Sequence, residues 1–419
     1  MFIGFLRRNW AISHPPQPAK EDQVLKIGLL GASKIAPTAV IEPALNHPSV
    51  VIAAVAARDP AKGQEYAKKH NIPVVYNSYQ ELIDEPTIDA IYIALPNGLH
   101  YEWAAKSLQA GKHVLLEKPS VSNSIEATAL FRHPSLTRSN APVIIEAVHS
   151  RFHPAFQTFI SLLDPPNIVS AHSSAKAPGG YVALDDIRFN YDLAGGSCMD
   201  PGSYAIMTLR QMLGAEPEEC LEANARMLPQ GYDQNCDQAI TAKFRFPNGA
   251  LGKIDVDLNE VGGYWLPWIT MHWPAISIPA CSATHREVTV PDDKLAVEEE
   301  HVIVKTVTLL NYLLPHHWHR IDISEKHMVR NIRTKETLRT WTVTASKKAY
   351  KWDDPKKKGE AYWSSYRYQL EEFVNKIKGR DGSGVWIDGE DSINQMRMID
   401  SVYQKAGLLH RPSSKYLEL

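Results

Sequence analysis

The chain has 419 residues, more than one ordinary hydrophobic core requires, so two domains are expected. Its 45 basic and 47 acidic residues give a formal net charge of −2, which excludes a global positive field for nucleic acid or an anionic membrane and favours a small-molecule substrate. The four cysteines contain no Cys-x-x-Cys pair, which argues against a disulfide framework or a cysteine zinc site and favours a cytoplasmic location.

Residues 1–23 are predicted to form an N-terminal arm. The segment is basic at Arg7 and Arg8 but lacks an apolar stretch long enough for a signal peptide. A transit peptide is the alternative, because the segment carries no acid before Lys20, although it contains little serine. No window of the chain is long and apolar enough to predict a membrane span.

Residues 24–150 alternate short apolar runs with helical stretches such as Pro60–His70 and Tyr101–Ala110, which is typical of βαβ units and a parallel sheet. The predicted strands are Leu25–Leu30, Val50–Ala57, Val74–Tyr76, Ile88–Leu95, His113–Leu116 and Val143–Ala147. Six such strands predict a Rossmann dinucleotide-binding domain.

The first predicted strand leads into a turn that indicates a pyrophosphate site at a helix N-terminus. Gly31, Ser33 and Ala36 occupy the three small-residue positions of the dinucleotide fingerprint. Ser33 replaces the glycine that lets the backbone approach the phosphate most closely, so this motif alone is weak.

The end of the second predicted strand indicates which dinucleotide binds. Ala57 stands where an NAD-binding fold places an acid for the ribose 2′-hydroxyl, and Arg58 offers a cation suited to a 2′-phosphate. NADP is therefore favoured over NAD. Asp59 could serve NAD, but we interpret it as the cap of the helix that begins at Pro60.

Lys118 follows the fifth predicted strand, at the edge of a parallel sheet where ligands bind, so its ammonium is placed to donate to a substrate oxygen. Asp200 and Tyr204 are four residues apart at the start of a predicted helix that ends before Gly214, so they point to one side. From these residues alone, Asp200 is equally well explained as a helix cap and Tyr204 as a packing residue.

From residue 151 onward, alternating segments such as Ala239–Phe246, Leu251–Leu258 and Val302–Thr308 are separated by turns, as in an antiparallel sheet. We predict a substrate and oligomerisation domain over residues 151–390 and a C-terminal helix and tail over residues 391–419. The predicted fold class is α/β, a Rossmann domain followed by an α/β domain with a large, mainly antiparallel open sheet.

Three close histidines, His316, His317 and His319, with His327 downstream, are the best candidates for a metal site. Consecutive histidines point apart on regular elements, and no acidic or cysteine partner has ligand spacing. We therefore predict no metal and interpret this segment as a loop bordering the substrate pocket.

A tryptophan-rich segment, Gly262–Cys281, contains Trp265, Trp268 and Trp273. It is either an aromatic wall of the substrate pocket or an interface, because an open sheet must cover its apolar face and dimerisation achieves this. The basic stretch Lys347–Lys358 is interpreted as an exposed loop.

These segments together resemble the Gfo/Idh/MocA oxidoreductase family, named for glucose–fructose oxidoreductase, inositol dehydrogenase and a rhizopine-catabolism protein. The resemblance rests on Gly31–Ala36, Ile91–His100, Glu117–Pro119, Arg151–Pro154 and Gly195–Tyr204. It implies a Rossmann domain, an open-sheet α/β domain and hydride transfer at a carbinol or carbonyl carbon. A tyrosine at position 204 is similar to the branch of glucose–fructose oxidoreductase, dimeric dihydrodiol dehydrogenase and NADP D-xylose dehydrogenase, which uses NADP.

The resemblance also implies roles for single residues. Lys118 matches the catalytic lysine, Asp200 the substrate-site aspartate and Tyr204 the acid/base residue; the charge of Lys118 is expected to lower the pKa of Tyr204. Cofactor contacts are expected from Gly31, Ser33, Lys34, Ile35, Ala36, Arg58, Leu95, Pro96, Asn97, His100, Glu117, Lys118 and Arg151. Asn97 and His100 could instead cap the following helix.

We therefore expect an NADP-dependent dehydrogenase or reductase acting on a sugar, polyol or related diol. D-xylose, another aldose, a trans-dihydrodiol and a ketone all remain open as substrates. A homo-oligomer formed through the C-terminal sheet is expected, with no nucleic-acid or membrane partner. The alternative function is a dinucleotide-binding regulatory sensor without turnover, which the loss of Lys118 or Tyr204 would indicate; both are present.

Overall fold

Two β-sheets organise the computed structural model, which describes residues 2–260, 263–265, 272–274 and 278–418. The first sheet has six parallel strands in the order β3-β2-β1-β4-β5-β6. These strands are β1 (Leu25–Leu30), β2 (Val50–Ala56), β3 (Val74–Tyr76), β4 (Ala90–Ile93), β5 (His113–Glu117) and β6 (Ile144–Ala147). The order and direction confirm the predicted Rossmann domain.

The second sheet is also as predicted, since all its strand pairs are antiparallel except β7 with β10. Its order is β17-β16-β15-β13-β7-β10-β9-β8, with β14 paired to β15, while β11 and β12 form a separate pair. These strands are β7 (Ile168–Pro178), β8 (Glu219–Met227), β9 (Asp237–Arg245), β10 (Leu251–Glu260), β11 (Gly263–Trp265), β12 (His272–Pro274), β13 (Ala280–His285), β14 (Val288–Val290), β15 (Glu299–Leu310), β16 (Arg320–Asn331) and β17 (Thr337–Lys347).

Local chemistry sets the bounds of the helices. The helices are α1 (Phe2–Ser13), α2 (Glu42–Leu45), α3 (Pro60–His70), α4 (Tyr79–Asp84), α5 (His100–Gln109), α6 (Ser124–Phe131), α7 (Pro154–Ser161), α8 (Pro201–Leu213), α9 (Ser365–Ile377) and α10 (Gly389–Lys405). Asp59 caps α3 as predicted, because its Oδ1 accepts from the amides of Ala61 (3.0 Å) and Lys62 (3.3 Å). Gly214, with φ +60°, ends α8.

The helix after β1 begins with a π-helical segment, Pro37–Ile41, before the short α2. Apolar side chains of α8 pack on one face of the second sheet, against β7, β10 and β13. The opposite face carries a concavity of about 430 Å³ lined by polar residues such as His172, Thr241 and Lys253. This face has no helix packed over it in the described part of the chain.

The N-terminal arm contains helix α1, which contacts the histidine loop and Tyr350. In α1, the Arg8 guanidinium donates to the carbonyl oxygens of His316 (3.2 Å) and His317 (2.7 Å) and lies 3.6 Å from the Tyr350 ring centroid. The arm therefore supports the predicted histidine loop. The side chains of Trp265, Trp268 and Trp273 lie outside the described residues. No helix among the described residues has the length and apolar character needed to cross a membrane.

Candidate active site

Three side chains meet at the carboxyl edge of the Rossmann sheet. Lys118 follows β5, and its Nζ forms an ion pair with Asp200 and lies 4.9 Å from the ring centroid of Tyr204. Asp200 and Tyr204 come from the first turns of α8, so the predicted four-residue spacing does bring both to the lysine. The structure therefore places a cation, a carboxylate and a phenol at one point of the ligand-binding crevice.

Asp200 occupies the cap position of α8 but makes no capping hydrogen bond, so the helix-cap interpretation is wrong. Its second oxygen, Oδ2, accepts a hydrogen bond from Arg188 Nε at 2.9 Å. Burial alone would raise the pKa of Asp200, but Lys118 and Arg188 outweigh burial and lower this pKa. Asp200 is therefore a carboxylate that holds two cations in place.

The pKa of Tyr204 is not lowered overall, contrary to the expectation drawn from the charge of Lys118. Burial raises the pKa of Tyr204 well above its ordinary value, and Tyr366, Glu117 and Asp200 raise it further. The physical reason is that Asp200 already compensates the charge of Lys118, while the phenol is only 9% exposed. Tyr204 is therefore a neutral phenol around neutral pH.

Glu117 is the last residue of β5 and directly precedes Lys118. It is buried and accepts a hydrogen bond from the Tyr92 hydroxyl at 2.7 Å, and burial raises the pKa of Glu117. The carboxyl group is therefore already held by the chain on one oxygen.

The dinucleotide turn has the shape that a pyrophosphate needs. Gly31 has φ +95°, and a Cβ there would lie 3.0 Å from Cδ2 of Leu95, so only glycine fits without strain. Ser33 Oγ accepts from the amide of Ala36 at 3.2 Å just before the helix that follows, while Lys34 and Ile35 are exposed. The turn fits a dinucleotide despite its missing glycine.

The end of β2 fits a 2′-phosphate better than a 2′-hydroxyl. Ala57 is buried and offers no acid, and the carboxylate of Asp59 is used as the cap of α3. Arg58 is exposed at this edge and forms no ion pair with any residue that the structure describes. A free guanidinium beside the position of the ribose is suited to a dianion.

Three predicted cofactor contacts have other partners. His100 is fully buried, with its ring nitrogens 2.9 Å from the Pro119 carbonyl and 2.8 Å from the Leu95 carbonyl. Arg151 is paired with Asp391 of α10. Asn97, next to Pro96, donates to the Ala194 carbonyl at 3.0 Å. Neither Asn97 nor His100 caps α5, and both ring nitrogens of His100 are already hydrogen-bonded within the chain.

Sequence reasoning missed Arg188, His149 and Tyr366 at the site. Arg188 lies in the short 3₁₀ helix Ile187–Phe189, which is too brief to give a periodic signal. His149 follows β6, and its ring packs against Tyr204 (5.4 Å between centroids) and Tyr366 (3.8 Å). A histidine directly after a parallel strand was a usable signal, because such positions open on the ligand crevice.

The histidine loop does not form a converging ligand set. His316 Nδ1 contacts Ser365, His317 Nδ1 contacts Asn9, and His319 lies between the Pro315 carbonyl and the Ala349 amide. Across the described residues, no group of three or more histidine, cysteine or acidic side chains has metal-binding geometry.

A buried clamp formed by Arg411 and Asp237 holds the segment before Asp200. Arg411 is 1% exposed and donates to the Gly195 carbonyl (2.5 Å) and to Asp237 (2.6 Å). Asp237 in turn accepts from Ser197 Oγ (2.6 Å) and the Cys198 amide (2.8 Å). A side chain at Gly196, where φ is +132°, would collide with this clamp.

Comparison with protein families identifies the chain. Residues 25–135 match the GFO/IDH/MocA model described as an oxidoreductase family with an NAD-binding Rossmann fold, and residues 165–275 match the GFO/IDH/MocA C-terminal domain. The chain belongs to the Gfo/Idh/MocA oxidoreductase family. The predicted resemblance is confirmed, and with it the expectation of an NAD(P)-dependent oxidoreductase.

Two curated relatives have named activities. D-xylose 1-dehydrogenase (NADP(+)) 2 of Haloferax volcanii is 38% identical over 235 residues, which cover 55% of this chain and 69% of that protein. Trans-1,2-dihydrobenzene-1,2-diol dehydrogenase of Sus scrofa is 30% identical over 209 residues, which cover 50% of this chain and 60% of that protein. Both belong to the branches that the sequence motifs suggested.

Solved structures show the same fold over nearly the whole chain. KijD10, a 3-ketoreductase from Actinomadura kijaniata in complex with NADP and TDP-benzene, has a TM-score of 0.64 at 19% identity and covers 91% of this chain and 98% of its own. The aldose–aldose oxidoreductase from Caulobacter crescentus has a TM-score of 0.65 at 18% identity, and the match covers 92% of this chain and 98% of that protein.

Proposed function

We propose that this family member is an NADP(H)-dependent dehydrogenase or reductase that acts on a carbinol or carbonyl carbon of a sugar, polyol or related diol. The observation that carries the proposal is Lys118, held by Asp200 beside the Tyr204 ring at the carboxyl edge of the Rossmann sheet. The curated relatives support it, since their names specify NADP(+), D-xylose and a dihydrodiol.

The cofactor, when bound, supplies or accepts the hydride. Gly31 and the helix start after Ser33 would hold its pyrophosphate, and Arg58 its 2′-phosphate. Tyr204 gives a proton to the substrate oxygen during reduction and takes it back during oxidation. Lys118 stabilises negative charge that develops on that oxygen, and Asp200 with Arg188 fixes the position of the ammonium.

The raised pKa of Tyr204 supports reduction as the favoured direction near neutral pH. A phenol that stays protonated is ready to donate, whereas oxidation needs the phenolate as a base. We therefore expect reduction of a carbonyl substrate to be efficient at neutral pH and oxidation to become efficient only in alkaline buffer.

The test is a screen of sugars, diols and ketones with NADP(H), followed by the absorbance of the reduced nicotinamide. Turnover of a sugar, polyol or diol supports the proposal. Tight NADP(H) binding without turnover of any compound would instead favour the regulatory sensor, which the presence of Lys118 and Tyr204 argues against.

NADP(H) is expected to bind more tightly than NAD(H), because Arg58 is free and Ala57 provides no acid. Arg58→Ala should weaken NADP(H) binding by about 1.5–3 kcal/mol, the scale of a charge-assisted contact, and leave NAD(H) binding almost unchanged. Calorimetric titration of both cofactors measures this, with Lys62→Ala on the exposed surface of α3 as the matched control. Equal affinities for the two cofactors in the unmodified protein would contradict the assignment.

We also propose a cytoplasmic homo-oligomer that forms through the second sheet. The uncovered polar face and the fully exposed strand β17, with Leu338, Trp341 and Val343 more than 40% exposed, support an interface there. The four free cysteines, three of them buried, suit a reducing compartment.

Analytical ultracentrifugation tests this interface. The protein should sediment as a dimer or larger, and Thr241→Arg, in the lining of the concavity, should shift it toward the monomer because an arginine cannot be accommodated between two packed sheets. Thr137→Arg, exposed on the Rossmann side, is the control and should leave the assembly unchanged. A monomeric unmodified protein would exclude the interface.

A further inference from the structure

His149 is a buried histidine whose environment the reaction described above does not explain. It follows β6, the neighbour of β5, and the parallel register pairs Glu117 with Ala147. Lys118 and His149 therefore emerge at the same edge of the sheet. His149 is only 2% exposed, and its ring packs between Tyr204 and Tyr366.

Hydrogen bonds from His149 through Ser365 to His316 fix the tautomer of His149. The backbone amide of Ser365 lies 3.4 Å from His316 Nδ1, and an amide can only donate, so this nitrogen carries no proton. The Ser365 hydroxyl, 3.0 Å from the same nitrogen, must then donate to it as well. The hydroxyl oxygen is left as an acceptor for His149 Nδ1 at 2.8 Å.

His149 consequently carries its proton on Nδ1 and a lone pair on Nε2. Burial, together with the nearby charge of Lys118, lowers the pKa of His149 to about 3, so the ring stays neutral. Nε2 has no hydrogen-bond partner in the part of the chain that the structure describes. Nε2 reaches solvent-accessible space, so a ligand hydroxyl can approach it and donate to its lone pair.

We propose that His149 is a specificity-determining residue whose Nε2 accepts a hydrogen bond from a second substrate hydroxyl, on the carbon next to the reacting one. The argument is geometric: the imidazole adjoins the Tyr204 ring, so the two groups can engage oxygens on adjacent carbons. The substrates are thus vicinal diols or hydroxycarbonyls rather than simple alcohols or ketones. This inference rests on the proposed function, because it assumes that Tyr204 faces the reacting oxygen.

Two matched pairs of substrates test the inference: trans-cyclohexane-1,2-diol against cyclohexanol, and D-xylose against its 2-deoxy analogue. The unmodified protein should prefer the member with the adjacent hydroxyl. His149→Phe should lower kcat/KM for that member by roughly 10- to 100-fold, mainly through KM, and change the other member by less than about threefold. His149→Gln retains an acceptor near the position of Nε2 and should restore most of the preference.

Thermal unfolding and NADP(H) affinity establish whether each variant is folded. An unchanged preference in folded His149→Phe would overturn the inference alone, as would equal efficiency of the unmodified protein on both members of a pair that it turns over. If the unmodified protein turns over no compound in either pair or in the wider screen, the proposed function fails first and the inference fails with it.

A second measurement does not depend on catalysis. In ¹⁵N-histidine-labelled protein, the His149 ring should show a protonated Nδ1 and an unprotonated Nε2. Ser365→Ala removes the acceptor that holds the proton on Nδ1 and should give a mixture of tautomers, with a weaker preference for the vicinal hydroxyl. A protonated Nε2 in the unmodified protein would overturn the inference even if His149→Phe proved unstable.

Discussion

Tyr204→Phe is expected to leave folding and NADP(H) binding intact while lowering the rate of hydride transfer by roughly 10²–10⁴. The change removes the hydroxyl alone, and the Tyr204 hydroxyl makes no hydrogen bond to the rest of the described chain, so its loss should cost little stability. Single-turnover absorbance of the reduced nicotinamide measures the rate under saturating substrate.

Tyr366→Phe is the matched control for this variant. Tyr366 is also a buried phenol, packed on His149, but among the described residues its ring makes no cation–π contact with Lys118. Tyr366→Phe should lower the rate of hydride transfer less than Tyr204→Phe does. If Tyr204→Phe kept more than about a tenth of the unmodified rate, the tyrosine would be a packing residue and another group would have to move the proton.

Lys118→Met should lower the single-turnover rate by roughly 10²–10³ in both directions, because it removes the cation that stabilises charge on the substrate oxygen. Methionine keeps the length of the side chain. The loss should be larger for oxidation, since removal of a positive charge raises the pKa of Tyr204 still further and makes the phenolate rarer.

The rates of reduction and oxidation are expected to depend differently on pH. Because the pKa of Tyr204 is already raised, reduction should be independent of pH from about pH 6 to 10, whereas oxidation should increase about tenfold per pH unit over this range. In Lys118→Met both profiles should keep these slopes at lower rates. A variant with unmodified rates in both directions would show that Lys118 has no part in the chemistry.

Much of the Rossmann half could be predicted because its signals are local. The bounds of β1, β3 and α3 agree with the sequence analysis, as do those of α8 outside this half, since apolar runs, the Asp59–Pro60 cap and a terminal glycine are read within a few residues. Strand β17 was not among the predicted strands, although Thr340, Thr342 and Thr344 alternate with Trp341 and Val343, a pattern typical of a strand. The π-helical segment after β1 was likewise invisible to a search for helical periodicity.

The proximity of Lys118, Asp200 and Tyr204 could be predicted, but their electrostatics could not. Lys118, Asp200 and Tyr204 follow from strand ends and helix spacing, which are local properties. The pKa of Tyr204 depends on burial and on Asp200 neutralising the lysine, and the partners of Arg188 and His149 come from distant parts of the chain. Contacts between residues that are far apart in the chain cannot be predicted from sequence spacing.

The clamp made by Arg411 has a consequence for how the enzyme matures. The Rossmann domain is synthesised first and can fold as the chain emerges, since domains fold from the N-terminal side during translation. Asp200 and Tyr204 follow long before the residue that braces their segment against Asp237. A nascent chain can therefore fold its Rossmann domain before Arg411 is synthesised, and the segment that precedes Asp200 gains its brace only after Arg411 has emerged from the ribosome.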